Sequence, residues 1–269
     1  MALIHIGFFS ESLGMCVACD VILPQKASSG QIGMASGTRG DKHPVLWLLH
    51  GASDNHTIWQ RRTSIERYAA QLGLAVVMPN AHLSSYADMA HGGKYYTYIS
   101  KELPEKMRSF FPLSDKREDN YSAGLSMGGA GCLKIGLANP DKYAAIGCLS
   151  AGASNMRPAF ANDPVRKARQ ERVYGDRVLE GTEEDTLGNA SRLVKAGGPF
   201  PRISHACGES DFLLENAHAT RDFFQSIPGN PFDYTYLEAP GAHTWEFWDE
   251  HIQDFLKYLK LTPLKDIRN

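Results

Sequence analysis

A chain of 269 residues, 43% hydrophobic and 22% charged, holds enough apolar material for one large α/β domain without disulfides or a structural metal. A net charge near −2, with both signs interspersed, excludes polymer binding by charge, so neither nucleic acid nor an anionic membrane is an expected partner. No stretch approaches the roughly 20 apolar residues of a membrane span. The opening Met1–Ser10 lacks the basic lead of an export signal, and five cysteines are an odd number, so a reducing, cytoplasmic setting is expected.

In chain order, residues 2–9 and 15–23 read as an opening antiparallel pair. Cys16 and Cys19 fall within the second strand, where their C-x-x-C spacing means strand thiols; no second Cys or His pair stands at zinc-binding distance, and no metal is expected. Residues 24–43 form a polar loop. Pro44 to Leu49 is a short, continuous apolar run of the kind buried parallel strands show, and it ends at His50-Gly51. A helix over 57–72, a strand over 73–78 and a polar loop over 80–96 follow. The spacing then predicts a helix from Tyr96 to Phe111 with a kink at Pro104, a strand over 120–125, a small-residue helix over 127–138 and a strand over 143–150.

Residues 152–199 break the alternation with a charged helix near 163–173 and another near 185–195, which predicts a cap-like insertion. A strand over 201–207, a helix over 212–226, a strand over 232–237 and a helix over 245–260 complete the pattern. Strands alternating with helices imply a mostly parallel sheet covered on both faces, in a single domain over 1–269.

Gly124-Leu-Ser126-Met-Gly128 matches G-x-S-x-G at a strand-to-helix turn, where a strained backbone lifts a serine hydroxyl above the sheet. Serine needs a base, and the base needs an acid to orient it. His243 stands after the strand over 232–237, at the start of the last helix, and is the candidate base; His205 lies inside a strand and His218 inside a helix. Asp211 follows the preceding strand and is the candidate acid, with Glu209 as runner-up. As a mere helix N-cap, Asp211 would have to turn its carboxylate away from the site. The oxyanion needs two backbone N–H donors, which Met127 and Ala52 are positioned to supply. His50 reads as a structural strand-end histidine.

The run Leu48-Leu-His-Gly-Ala-Ser-Asp-Asn55 with Trp59, Met78-Pro-Asn80, Tyr95 to Pro104, Ala123 to Gly129, Cys207 to Leu213 and Gly241-x-His-x-Trp245 resembles the esterase D-like family of α/β-hydrolases. Within that family the sequence is most similar to the bacterial tributyrin and acetyl esterases, and the likeness runs through nearly the whole chain. The resemblance implies hydrolysis of short-chain acyl esters without a cofactor, the acyl group being acetyl or butyryl, with acylated sugars and aromatic acyl esters as variants. It carries over Ser126, Asp211 and His243 as the triad and Ala52 and Met127 as oxyanion donors. Family members often associate, so a homo-oligomer is compatible with it. Trp59, Tyr86, Tyr95, Trp245 and the region of Phe160 are candidates for lining the substrate pocket, with core packing as the alternative.

Two departures qualify the resemblance. S-formylglutathione hydrolases of the family carry Ser-Gly-Leu-Thr-Cys where this chain has His50 to Asp54, which argues against that substrate. The 24–43 loop is also long for the family. Related mycolyltransferases share the elbow and the Trp after the histidine, so acyl transfer or thioester cleavage by the same residues stays open. So does a non-catalytic binding module, although the intact serine and histidine positions argue against it.

Overall fold

A computed structural model describes residues 1–25, 37–153 and 162–264. Among these, eight strands form one sheet in the order β1-β2-β4-β3-β5-β6-β7-β8. They are β1 (Ala2–Ser10), β2 (Met15–Leu23), β3 (Val45–Leu49), β4 (Ala75–Pro79), β5 (Asn120–Leu125), β6 (Ala145–Leu149), β7 (Arg202–Gly208) and β8 (Thr235–Ala239). The expected opening pair is antiparallel, and β2 also runs antiparallel to β4; every later pairing is parallel. This is the α/β-hydrolase fold.

The apolar run of β3 explains why the sheet is covered twice. Val45, Trp47 and Leu49 point into one core, and Leu46 and Leu48 into the other. The first core is closed by α4 (Leu103–Phe110), α5 (Met127–Ala138) and α8 (Leu214–Gln225), through residues such as Met107, Leu133 and Phe224. The second is closed by α1 (Ile58–Arg62), α2 (Ile65–Leu72) and α9 (Trp245–Tyr258), through Trp59, Ile65, Ile252 and Phe255. Burying each such side chain stabilises by about 1.5–3 kcal/mol relative to exposure.

Three expectations need correction. The helix predicted over 57–72 is two helices, because Thr63 is extended and its hydroxyl bonds back to the Trp59 carbonyl. Ser64 N–H then turns to Asp249 on α9. The kink expected at Pro104 is a widened π turn, Tyr98–Glu102, between the short α3 (Tyr95–Thr97) and α4. Proline has no N–H for the Ser100 carbonyl four residues back; Lys142 Nζ donates to that carbonyl instead, at 3.2 Å. The last strand begins at Thr235 rather than 232, since Asn230 and Asp233 hold positive φ in a turn that the Asn230 side chain closes onto Tyr234 N–H. Most of the 24–43 loop lies outside the described residues.

Between β6 and β7 stand α6 (Pro164–Tyr174) and α7 (Thr186–Ala196), each starting at an aspartate, Asp163 or Asp185, whose carboxylate accepts N–H bonds of the first turn. Two backbone bonds tie the end of α6 to the 81–94 loop, Ala90 N–H to Val173 and His91 N–H to Arg172. A buried ion pair, Lys134 Nζ to Glu184 Oε2 at 2.8 Å, joins α5 to the turn before α7. These two helices therefore stand over the C-terminal end of the sheet, where α/β folds place their ligands.

Candidate active site

Ser126 sits between β5 and α5 with φ 53° and ψ −120°, a conformation that costs a non-glycine residue on the order of 1–3 kcal/mol. Close packing holds it there. A side chain at Gly128 would collide with the carbonyl oxygens of Leu49 and His50. Ser126 N–H is tied to the Leu149 carbonyl of β6 at 2.8 Å. The result aims the hydroxyl out of the sheet.

His243 Nε2 lies 2.9 Å from Ser126 Oγ, and its Nδ1 lies 2.9 and 3.0 Å from the two oxygens of Asp211. A carboxylate can only accept, so Nδ1 carries the proton and Nε2 presents its lone pair to the serine hydroxyl. The Asp211 side chain is wholly buried while the His243 ring is partly exposed. Burial alone would raise the Asp211 pKa; hydrogen bonds from His243, the Leu213 N–H and the Ser150 hydroxyl outweigh it and leave the acid below the ordinary carboxylate range. Asp211 does not cap α8, whose N-cap is Leu213; its second bond lies in the turn before the helix. Asp211 Oδ1 accepts Leu213 N–H at 2.8 Å while the same carboxylate faces the imidazole. Glu209 is exposed.

The loop after β3 comes close to Ser126, since a side chain at Gly51 would reach within 3.7 Å of Ser126 Cβ. His50 sets its orientation. His50 Nε2 accepts Ala81 N–H at 2.9 Å, which leaves Nδ1–H to donate to the Gly51 carbonyl at 2.7 Å. In a planar trans peptide the Ala52 N–H points opposite to that carbonyl. Met127, as first residue of α5, has no intrahelical acceptor for its own N–H. Ala52, Ser126 and Met127 all line one cavity of about 530 Å³.

Burial lowers the pKa of His50 to about 4, and likewise that of His205, which bonds Tyr234 Oη and the Ala151 carbonyl inside β7. Both are therefore neutral in the folded protein and protonate in the unfolded chain below about pH 6.5. More protons bind the unfolded state between pH 6.5 and 4, so stability is lost as pH falls through that window. Each histidine contributes up to about 3 kcal/mol of that loss. Urea unfolding at pH 7 and pH 4.5 measures it; equal stability at the two values contradicts the assignment.

The candidate pocket aromatics are not among the residues that line the cavity. Trp59 is buried beside Trp245, edge to face at 5.3 Å, and its indole N–H caps the Leu49 carbonyl at the end of β3. Tyr86 gives its hydroxyl to the His50 carbonyl, and Tyr95 is buried against the same core. These rings build the platform under the site rather than the cavity wall. Phe160 lies outside the described residues. Phe212, which sequence patterning does not single out, stands 61% exposed with its ring 4.4 Å from His243. Among the described residues, no group of three or more His, Cys, Asp and Glu is disposed to hold a metal ion.

Ser150 is the other residue that the sequence does not reveal. Fully buried just past the end of β6 with φ 50°, it accepts the Trp248 indole N–H at 2.8 Å, and its hydroxyl helps to hold the Asp211 pKa down. Ser150→Ala is expected to lower kcat by roughly tenfold with KM little changed, the loss of one hydroxyl that stabilises a buried charge. Steady-state kinetics of the variant check this; a change confined to KM would mean that Ser150 does not support the acid.

A parallel-dominated hydrolase sheet with a hydrogen-bonded serine, histidine and aspartate at its C-terminal end defines the chain as a serine hydrolase of the α/β-hydrolase class. The sequence matches the Esterase family over residues 10–259, and the chain belongs to that family. It is 30% identical to an acetyl esterase of Caldicellulosiruptor saccharolyticus, over 96% of this chain and 98% of that protein. Among solved structures it resembles a substrate-bound, fluorophosphonate-binding serine hydrolase of Staphylococcus aureus, with 34% identity and a TM-score of 0.83 over 96% of this chain and 98% of that one. An S-formylglutathione hydrolase of the same organism gives 35% identity and a TM-score of 0.79, over the same shares of the two chains. The protein is a serine carboxylesterase.

Proposed function

We propose that Ser126, His243 and Asp211 form the catalytic triad, that the N–H groups of Ala52 and Met127 hold the oxyanion, and that the substrates are short-chain acyl esters. The unbroken line of hydrogen bonds from Ser126 Oγ, on the cavity wall, through His243 to Asp211 carries this reading. His243 takes the proton from Ser126 as the hydroxyl attacks the ester carbonyl. The negative charge that develops on the carbonyl oxygen is met by the two N–H groups. The proton on His243 then goes to the departing alcohol, leaving an acyl-serine. Water, deprotonated by the same imidazole, attacks this ester and releases the acid.

Within the 152–199 insertion, α6 and α7 act in this reading as a cap on one α/β-hydrolase domain over 1–269, bounding the space for the acyl and alcohol groups. A cavity of about 530 Å³ has room for a small ester with both of its halves. The likeness to an acetyl esterase supports a small acyl group. Five unpaired cysteines are in keeping with a reducing, cytoplasmic setting, and among the described residues no helix is long and apolar enough to cross a membrane. Hydrolysis of p-nitrophenyl esters from acetyl to dodecanoyl tests the proposal. The expected result is a kcat/KM that is greatest for acetyl to butyryl and falls with each longer chain; a maximum at octanoyl or beyond would overturn the short-chain assignment.

A further inference from the structure

Three cations, Lys134, Arg166 and Arg169, and three anions, Glu180, Glu184 and Asp185, line the cavity wall. Arg169, on the inner side of α6, lines the cavity with its guanidinium beside Met127, the residue next to Ser126. Its Nη2 donates to the Met127 thioether, a weak acceptor, at 2.9 Å and to the neutral Ser85 hydroxyl at a long 3.4 Å. Its Nε is buried and has no hydrogen-bond partner. No carboxylate pairs with Arg169 among the described residues, and the stretch 154–161 contains no Asp or Glu. The other cations on this wall are matched. Lys134 is bound to Glu184, and Arg166 pairs with Asp163 while lying over the Phe212 ring.

A half-buried guanidinium without a counter-ion is costly to keep, because it has given up water without gaining a strong acceptor. Nε has no acceptor, and Nη2 holds only the thioether and the long hydroxyl contact; a carboxylate that displaced these would receive two parallel N–H···O bonds from the Nε–Nη2 fork. Glu184 Oε1 is the other open polar atom there. Lys134 offsets its charge, so it adds a hydrogen-bond acceptor and no net negative field. Glu180, at the rim, is exposed and screened by solvent.

We propose that Arg169 is a specificity residue and that the enzyme prefers esters carrying a carboxylate on a short arm, seated on its guanidinium. This rests on the esterase reading above. The carboxylate can belong to the acid half, as in a dicarboxylic half-ester, or to the alcohol half, and the guanidinium chemistry is the same for both. Monoethyl succinate against ethyl valerate probes the first, and 4-acetoxybenzoate against phenyl acetate the second, with acid release followed in a pH-stat.

The expected result is a kcat/KM ratio, anionic over neutral, above one in at least one pair. That ratio should fall by about tenfold to a hundredfold in Arg169→Gln, as for loss of hydrogen bonds to a charged group. Fluorophosphonate labelling of Ser126 reports whether the variant keeps a folded site. If Arg169→Gln does not fold, Arg169→Lys is read in its place, where a point charge replaces the fork and the ratio falls by a smaller factor. A wild-type ratio below one in both pairs, or a ratio that neither variant alters, overturns the proposal. Turnover of the neutral esters decides the esterase reading separately, so the two can fail independently.

Discussion

Replacing Ser126 by alanine is expected to lower kcat on p-nitrophenyl acetate by about a millionfold, the scale at which a whole triad is lost when its nucleophile goes. The fold should survive the change. Among the described residues the hydroxyl is bonded to His243 alone, and the strained φ of 53° is set by the packing of Gly128 under the Leu49 and His50 carbonyls, which the substitution leaves in place. Alanine tolerates the strained conformation no worse than serine, so the melting temperature should stay within a few degrees of wild type. The residual rate over water then measures what the oxyanion donors and the cavity achieve alone. A variant that keeps a tenth or more of the activity would remove Ser126 from the chemistry.

Asp211→Asn carries the second large effect, a fall in kcat of about ten-thousandfold at neutral pH, by analogy with the same change in other triads. The cause is legible in the bonds around the acid. Asp211 accepts His243 Nδ1–H and Leu213 N–H, and the Ser150 hydroxyl also helps to hold its pKa down. An amide has one acceptor oxygen. If that oxygen stays on Leu213, the amide N–H₂ faces the imidazole, Nδ1 must become an acceptor and the ring proton moves to Nε2. His243 then has no lone pair for the Ser126 hydroxyl. The negative charge that stabilises the imidazolium is lost as well. Rate measurements on the purified variant check this, and a loss of less than tenfold would mean that another group orients the base.

The site is more legible in the sequence than the cavity around it. The elbow is a local device, since the spacing of Gly124, Ser126 and Gly128 at a strand end already specifies the turn. Asp211 and His243 follow from chain order, because parallel strands bring the loops after β7 and β8 to the end of the sheet that carries the elbow. The role of Ser150 has no such signal. It depends on a positive φ at the end of β6 and on an indole from α9, about a hundred residues on, meeting it in space. The aromatic residues fail for a related reason: patterning separates apolar from polar, but does not say whether Trp59 faces a cavity or the core beneath it. Arg169 belongs to a helix that reads as uniformly charged and solvated, and only the seating of α6 against the 81–94 loop turns one of its cations inward.

Trapping the acyl-enzyme is the most direct test of the account. Wild-type protein is mixed with p-nitrophenyl acetate, quenched in acid within the first turnovers and digested for peptide mass mapping. The account predicts one acetyl group, on the peptide and residue that contain Ser126, with a matching burst of p-nitrophenol. Turnover with no acyl group on Ser126, or with the label on another residue, would contradict it.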